Sequence, residues 1–336
     1  MRILPPLAAM LGAALALTAC APATTPTPSA TPTPSPAAST STAFAVRVAS
    51  LKGPTTMGMV SLMDKASHGD TQQPYTFTVS GTPDAVSGPL VAGDYDIALI
   101  PVNLAAVLYN KTNGGVKLAA VSVLGVLYVV TGDPAVKSLQ DLKGKTITNS
   151  GKGTTPQFVI DKVLANAGLT NDVTVNYASQ PTEQASALAA DPTSIQVLPE
   201  PYVTSVMAAN PAVHVVVDLN EAWQQAVGSP LVTACVAVRT DFATKAPDAL
   251  AAFMGEYAAS VQFVNDHPDQ AAPLIVAQGL APNAATAQAV VPRAHLVDLT
   301  GADAKSAVST YLGVLFAADP ASVGGKLPDD NFYYSA

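Results

Sequence analysis

Cysteine and aromatic residues are scarce in this chain of 336 residues. Only Cys20 and Cys235 are present, and aromatic residues make up 6% of the sequence, with Trp223 as the single tryptophan. Because Cys20 lies in an N-terminal targeting segment, Cys235 would have no partner within the chain, and an internal disulfide is excluded. Stability must therefore come from an apolar core, in which we expect Cys235 and Trp223 to pack.

Positive charge is also scarce. Lysine and arginine number 16 against 24 acidic residues, which gives a net charge of −8 and no basic stripe along the sequence. This composition argues against nucleic acid as a partner, and we expect none. The longest apolar run beyond the N-terminus, residues 118–130, is shorter than the roughly 20 residues that span a bilayer, and we predict a buried strand there.

Motifs of catalysis and metal binding are missing. The histidines at positions 68, 214, 267 and 295 are scattered, and the sequence contains neither H-E-x-x-H nor G-x-S-x-G. No cysteines stand at metal-ligand spacing, and each histidine is predicted to be a surface or packing residue. We therefore predict no catalytic residue, no metal and no cofactor.

The N-terminus predicts export and lipid attachment. Arg2 precedes an apolar stretch from Leu7 to Leu17, and Thr18-Ala19-Cys20 follows it. This arrangement is typical of a signal peptide, and its end resembles a bacterial lipobox, whose cysteine becomes diacylated. An ordinary secretory signal with a chance cysteine is the alternative. We expect lipidation at Cys20 and a lipid-anchored protein on the extracytoplasmic face of the bacterial cell membrane.

Composition divides the remaining chain into a tether and two lobes. After the signal peptide at residues 1–20, residues 21–42 are almost entirely Ala, Pro, Thr and Ser, which predicts an extended tether. The about 290 residues that follow exceed the usual size of a single core. We place the first lobe at residues 43–128 and the second at 129–233. Residues 234–336 complete the first lobe and add C-terminal helices.

Strand-like and helix-like segments alternate in both predicted lobes. The strands that begin the lobes are predicted at residues 43–51, 75–79 and 96–100, and at 146–148, 173–177 and 195–198. Helical spacing of apolar residues separates them. This alternation predicts an α/β fold in which each lobe is a mainly parallel sheet flanked by helices.

Three polar loops follow predicted strands, where open α/β sheets bind their ligands. The first contains Gly53, Pro54, Thr55 and Thr56, the second contains Asn103, and the third contains Gly153, Thr154 and Thr155. Glycine allows close backbone approach, and the amides at the start of a helix can hold a polar group. The spacing of the third loop is not that of a nucleotide-binding P-loop. Asn103, Thr154 and Thr155 can alternatively be plain helix caps.

Glu200 is a fourth candidate, because it lies between two prolines at the end of an apolar strand. Its carboxylate can bind a ligand amine or face water in a turn. The candidate loops contain no arginine, since Arg47, Arg239 and Arg293 lie elsewhere in the sequence. Arginine is the usual partner of a dianion, so this absence favours a neutral or zwitterionic organic solute.

Several segments resemble, in the same order, a branch of ABC-transporter substrate-binding proteins in the nitrate, sulfonate, taurine and thiamine-precursor binding family. They are LKGPTTMGM at 51–59, YDIA at 95–98, PVN at 101–103, LYNKT at 108–112, DLKGK at 141–145, GKGTTP at 151–156, PEP at 199–201 and GGKLP at 324–328. The resemblance spans nearly all of residues 43–334. It implies a two-lobed periplasmic-binding-protein type II fold, with the candidate loops lining a ligand cleft between the lobes.

The resemblance also implies a function and partners. We expect a monomeric solute-binding lipoprotein that passes a small-molecule ligand to the permease and ATPase subunits of an ABC importer. Two alternatives remain open. One is an enzyme of cofactor-precursor metabolism, since relatives use this architecture for catalysis. The other is a surface lipoprotein that senses a ligand. The lipobox favours an exported receptor over a cytosolic enzyme.

Overall fold

The computed structural model describes residues 44–178 and 180–335. The predicted signal peptide, Cys20 and all of the predicted tether lie outside these residues. Within the described part of the chain, no helix is both long enough and apolar enough to cross a membrane.

In the described part of the chain, eleven strands form two sheets. The first sheet has the order β11-β4-β10-β3-β1-β2, and the second has the order β7-β6-β8-β5-β9. The strands of the first sheet are β1 (Val46–Leu51), β2 (Tyr75–Ser80), β3 (Ile97–Pro101), β4 (Val116–Leu124), β10 (Val232–Arg239) and β11 (Leu296–Leu299). Those of the second are β5 (Leu127–Thr131), β6 (Thr146–Ser150), β7 (Thr174–Ala178), β8 (Ile195–Pro199) and β9 (His214–Asp218).

Helices cover both faces of the sheets. In the first half of the chain they are α1 (Pro54–Met57), α2 (Val60–His68), α3 (Asp84–Ala92), α4 (Val102–Lys111), α5 (Thr155–Asn166) and α6 (Pro181–Ala190). In the second half they are α7 (Tyr202–Ala209), α8 (Leu219–Val227), α9 (Thr240–Lys245), α10 (Pro247–Asp266), α11 (Pro268–Ala277), α12 (Ala284–Val290) and α13 (Gly301–Ala318). Short 3₁₀ turns lie at Leu139–Leu142, Val291–Arg293, Pro320–Val323 and Asp330–Phe332.

The predicted two-lobed α/β fold is confirmed, but its sheets are mixed rather than mainly parallel. β1 is parallel to β2 and β3, whereas β10 runs antiparallel to β3 and β4. In the second sheet, β6 is parallel to β7 and β8, whereas β5 runs antiparallel to β8 and β9. The reason is connectivity. β5 and β10 enter their sheets directly from the other lobe, so they start at the edge where the strands of the β-α-β units end.

The first crossing between the sheets divides the apolar run that we predicted as one strand. β4 ends at Leu124 and β5 begins at Leu127. A side chain at Gly125 would lie 2.8 Å from Asn220 Cβ and from Leu231 Cδ2. The chain therefore passes between two other segments where only glycine fits.

The apolar core continues from one lobe into the other. Trp223 of α8 and Tyr311 of α13 are almost fully buried, and their ring centroids are 6.0 Å apart in an edge-to-face arrangement. The cluster that contains them includes Ile100 of the first sheet and Val129 of the second. Cys235 is also fully buried, and burial raises the pKa of its thiol. The prediction that Trp223 and Cys235 pack in the core is confirmed.

Two arginines meet a buried carboxylate at the end of the first sheet that is remote from the crossings. Asp96 is 1% exposed, and Arg47 Nη2 lies 2.7 Å from its Oδ1 while Arg239 Nη2 lies 3.3 Å from the same atom. Burial opposes ionisation, but the hydrogen bonds and charge of Arg47, with help from Arg239, lower the pKa of Asp96. This network ties β1, β3 and β10 together.

We expect Asp96→Asn to reduce the free energy of unfolding by about 1–3 kcal/mol at pH 7, because two guanidinium groups lose a charged acceptor. The pKa of Asp96 is lower in the folded than in the unfolded chain. Its contribution is therefore complete above the unfolded pKa, about 4, and is lost as the pH falls through the folded value. Urea unfolding at pH 7 and pH 3 measures this, with Asp241→Asn in the exposed pair with Lys245 as a neutral control. An equal loss at both pH values would contradict the role of the charge.

Candidate functional site

The four predicted loops lie at the edges of the sheets that face the crossings. Pro101 at the end of β3 pairs with Ala234 near the start of β10, and Pro199 at the end of β8 pairs with Leu127 at the start of β5. β1 is parallel to β3, and β6 is parallel to β8, so the loops that follow β1 and β6 lie at the same sheet edges as the loops that follow β3 and β8. The sheets thus direct all four loops toward the junction of the lobes.

The loop after β1 contains a residue, Gly53, whose backbone conformation favours glycine. Gly53 has φ 101° and ψ −152°, and a Cβ atom there would meet nothing within 4 Å. Thr56 is buried, and its hydroxyl lies 2.5 Å from the carbonyl oxygen of Leu51 and 2.7 Å from Ser50 Oγ. Thr56 therefore anchors the loop, whereas Pro54 and Thr55 stay partly exposed beside it.

Asn103 does not cap α4. The helix is preceded by Pro101, and Asn103 lies in its first turn with Nδ2 donating to the carbonyl oxygen of Ser322 at 3.2 Å. Farther along the same helix, Asn110 Nδ2 donates to the carbonyl oxygens of Val323 and Lys326, at 2.9 Å and 2.7 Å. Both amides secure the C-terminal segment against the first lobe.

The loop after β6 places Thr154 at the N-cap position of α5, but the threonine hydroxyl does not cap the helix. It donates instead to the carbonyl oxygen of Gly151, at 2.5 Å. Gly153 has φ 77°, and its N–H donates to Gln157 Oε1 at 2.8 Å. No side chain of the described residues caps the first turn of α5. The partial positive charge at this end of the helix is therefore not neutralised by a capping side chain.

Thr155 links the second lobe to the C-terminal helix. Its Oγ1 lies 2.9 Å from the hydroxyl of Tyr311 on α13. This hydrogen bond stands next to the contact between Tyr311 and Trp223 in the shared core. Thr155 therefore connects two parts of the fold through this hydrogen bond. Its position in a predicted loop gave no sign of this partner.

Glu200 neither faces water nor lies free in a turn. It is 3% exposed, and its two carboxylate oxygens accept from the N–H and the hydroxyl of Thr204, at 3.1 Å and 2.9 Å. Burial raises the pKa of Glu200, while the hydrogen bonds of Thr204 and the charges of Arg293 and His295 oppose that rise. The carboxylate is thus held in place at the start of α7.

Arg293 lies near this carboxylate, contrary to our expectation that it lies elsewhere. Its Nη1 is 3.5 Å from Thr204 Oγ1, and the hydroxyl of Tyr128 donates to its carbonyl oxygen at 2.9 Å. Arg293 directly precedes β11 of the first sheet, whereas Tyr128 lies in β5 of the second sheet and Thr204 in α7, which follows β8 of that sheet. Nothing local in the sequence marks this approach, because it depends on how the lobes meet.

His295 also joins the lobes. Its backbone has φ 44°, an uncommon value for a residue other than glycine. Its Nδ1 contacts the carbonyl oxygen of Gly125, and its Nε2 lies 3.8 Å from Asp218 Oδ2. Our prediction of a surface or packing histidine missed this position at the crossing.

The candidate residues are therefore brought to one junction but not into mutual contact. Thr155 and the Glu200–Thr204 pair reach residues of the first lobe, namely Tyr311 and Arg293. No hydrogen bond among the described residues connects the side chains of Thr55, Thr56 or Asn103 with the second lobe. A ligand lying between the loops would have to provide that connection.

Comparison with known proteins identifies the fold and the family of the chain. The fold is that of the two-lobed periplasmic-binding proteins. A profile described as menaquinone biosynthesis matches residues 53–311, and the chain belongs to that family. No curated protein sequence matches the chain.

Solved structures from several bacteria share the fold. An ABC transporter protein from Parabacteroides distasonis is 24% identical, with a TM-score of 0.76 over 87% of this chain and 99% of that one. The periplasmic aliphatic sulphonate binding protein SsuA from Escherichia coli is 14% identical, with a TM-score of 0.66 over 85% and 92%. The ligand-binding component of an ABC-type import system from Staphylococcus aureus is 12% identical, with a TM-score of 0.64 over 86% and 96%.

The Thr155–Tyr311 contact can be tested without a ligand. We expect Tyr311→Phe and Thr155→Val each to cost about 1 kcal/mol of unfolding free energy, and the double variant to cost little more than either, because both remove the same hydrogen bond. Urea unfolding of the four proteins measures the coupling. Fully additive losses would contradict the contact.

Proposed function

We propose that the protein is the solute-binding component of an ABC importer. It captures a small organic solute between its two lobes and delivers it to a membrane permease and its ATPase. The observation that carries this proposal is the convergence of four polar loops, two from each lobe, on a junction that the chain crosses twice. Such connections permit the lobes to close on a ligand as rigid bodies.

The site residues of this proposal divide into two roles. Thr55, the amides around Gly153 at the start of α5, and Glu200 contact the solute. Pro54, Thr56, Asn103, Thr154 and Thr155 hold the contacting groups, as their hydrogen bonds or places in the loops indicate. The approach of Arg293 to Thr204 adds a cation beside the carboxylate. A solute with both polar and charged groups therefore suits this junction.

The anchor is part of the same proposal. Lipidation at Cys20 and the tether at residues 21–42 would hold the binding protein on the extracytoplasmic face of the membrane, within reach of its permease. A tether of this composition extends by about 3.1 Å per residue, which gives a reach on the order of 60–70 Å. The supporting observation is the lipobox-like sequence before Cys20.

A second candidate function is catalysis on the same fold. The family to which the chain belongs carries the description menaquinone biosynthesis, and this description favours an enzyme of cofactor-precursor metabolism. In the structure, both oxygens of the Glu200 carboxylate accept hydrogen bonds from Thr204, which suits a fixed contact better than a group that exchanges protons. Binding is therefore the function we prefer.

Thermal denaturation against a library of small metabolites distinguishes the two. For the full chain carrying Cys20→Ser, a ligand at 100 times its dissociation constant adds about 2.7 kcal/mol to the free energy of unfolding, which raises Tm by roughly 4–5 °C for a folded part of this size. Mass spectrometry should then recover that solute chemically unchanged, in stoichiometric amount. Product formed over many turnovers would instead establish the enzyme, and a library without any Tm increase would count against both.

A further inference from the structure

Arg293 and His295, two residues apart just before β11, make three polar contacts with the second lobe. The carbonyl oxygen of Arg293 accepts the hydroxyl of Tyr128 at 2.9 Å, and its Nη1 lies 3.5 Å from Thr204 Oγ1. His295 Nε2 lies 3.8 Å from Asp218 Oδ2. These partners belong to β5, α7 and the end of β9, so one short segment of the first lobe reaches three elements of the second.

The segment is fixed to the first lobe through its backbone. Ala294 is fully buried, and its N–H donates to the carbonyl oxygen of Val291 at 3.1 Å. The N–H of Leu124, at the end of β4, donates to the carbonyl oxygen of His295 at 3.1 Å. A change in the arrangement of the lobes would therefore move the partners of the two side chains relative to this base.

The histidine contact depends on a proton. His295 Nδ1 faces the carbonyl oxygen of Gly125, which can only accept, so Nδ1 carries a hydrogen. In the neutral ring, Nε2 then presents a lone pair to the carboxylate of Asp218. In the charged ring, the same atom presents an N–H and a positive charge. Histidine is the side chain that makes this change at about pH 5–8.

Three carboxylates and one guanidinium surround the imidazole. Its ring centroid lies 6.3 Å from that of Tyr128. Burial and the charges of Asp218, Glu200 and Glu221 raise the pKa of Tyr128, and Arg293 opposes them. Burial also raises the pKa of Glu200, which Thr204, the guanidinium and the imidazole oppose. Negative charge thus exceeds positive charge around the ring, and a proton added there increases the attraction between the lobes.

We propose that His295 is a pH-operated fastener between the lobes. With both ring nitrogens protonated, it attracts Asp218 and holds the lobes in their present arrangement. After it loses the Nε2 proton, a lone pair faces the carboxylate, and the lobes change their arrangement more freely. Arg293 keeps its charge throughout this pH range, so its approach to Thr204 takes no part in the switch.

The distance between the lobes measures the state of the fastener. Spin labels on cysteines introduced at the exposed Thr82 and Thr182, in the chain carrying Cys20→Ser, report it by pulsed electron paramagnetic resonance. Cys235 is fully buried and escapes labelling. Without added solute, we expect a narrow distance distribution at about pH 5.5 and a broader one at about pH 8.5.

Two variants remove the contact from opposite sides. His295→Asn eliminates the titratable ring, and asparagine tolerates the left-handed backbone at φ 44°. Asp218→Asn eliminates the carboxylate but keeps an oxygen that can cap α8. Each variant should show the broad distribution at both pH values. If one of them fails to fold, as circular dichroism will show, the other still tests the contact.

His68→Asn is the matched control, because His68 and Asp64 form a similar pair, at 3.9 Å, within the single helix α2. It should keep the full pH response of the parent. A parent distribution that is unchanged, or that narrows as the pH rises, would overturn the proposal. So would a response that persists in a folded His295→Asn or Asp218→Asn chain, or one that is lost in the control. Because no solute is present, every outcome leaves the proposed solute-binding function to its own test.

Discussion

The close approach of four chain segments at Gly125 is the constraint on which the two-lobed arrangement depends. Asn220 and Leu231 leave no space for a side chain there, Asn220 Oδ1 accepts the N–H of Gly125 at 3.3 Å, and His295 contacts its carbonyl oxygen. Both crossings, the start of α8 and the start of β11 thus meet at one residue. The directions of β5 and β10, and hence the mixed sheets, follow from this meeting point.

The same junction relates the proposed binding function to stability. Trp223 and Tyr311 belong to one core that extends through both lobes, while Arg293 and His295 provide polar contacts between the lobes. Polar contacts tolerate rearrangement more readily than a packed core, because water can replace them. We infer that closing the two lobes on a ligand would break and form mainly these polar contacts, and would leave the packed core intact. The family description and the binding-protein fold are compatible in this respect, since a cleft that closes can serve capture or catalysis.

Sequence patterns predicted the elements but not their meeting points. Alternating apolar segments located β1, β3, β6 and β8, because a buried strand is specified by its own residues. β11 was missed, since its four residues lie at a sheet edge and carry Asp298 in an otherwise apolar strand. The loops were correctly placed at strand ends, yet the partners of Thr155, Asn103 and Glu200 were not foreseen. Those partners, Tyr311, Ser322 and Arg293, are distant in the chain and approach only when the whole chain folds.

The distance between the lobes tests the central claim most directly. Thr82 follows β2 and Thr182 lies at the start of α6 after β7; both are exposed, and β2 and β7 are the edge strands farthest from the crossings. Spin labels on cysteines introduced at these two positions, in the chain carrying Cys20→Ser, report the distance between the lobes by pulsed electron paramagnetic resonance. A solute that raises Tm should shorten and narrow the distance distribution, because the ligand must contact both lobes to favour closure. Stoichiometric binding with an unchanged distribution would contradict a receptor that closes on its ligand.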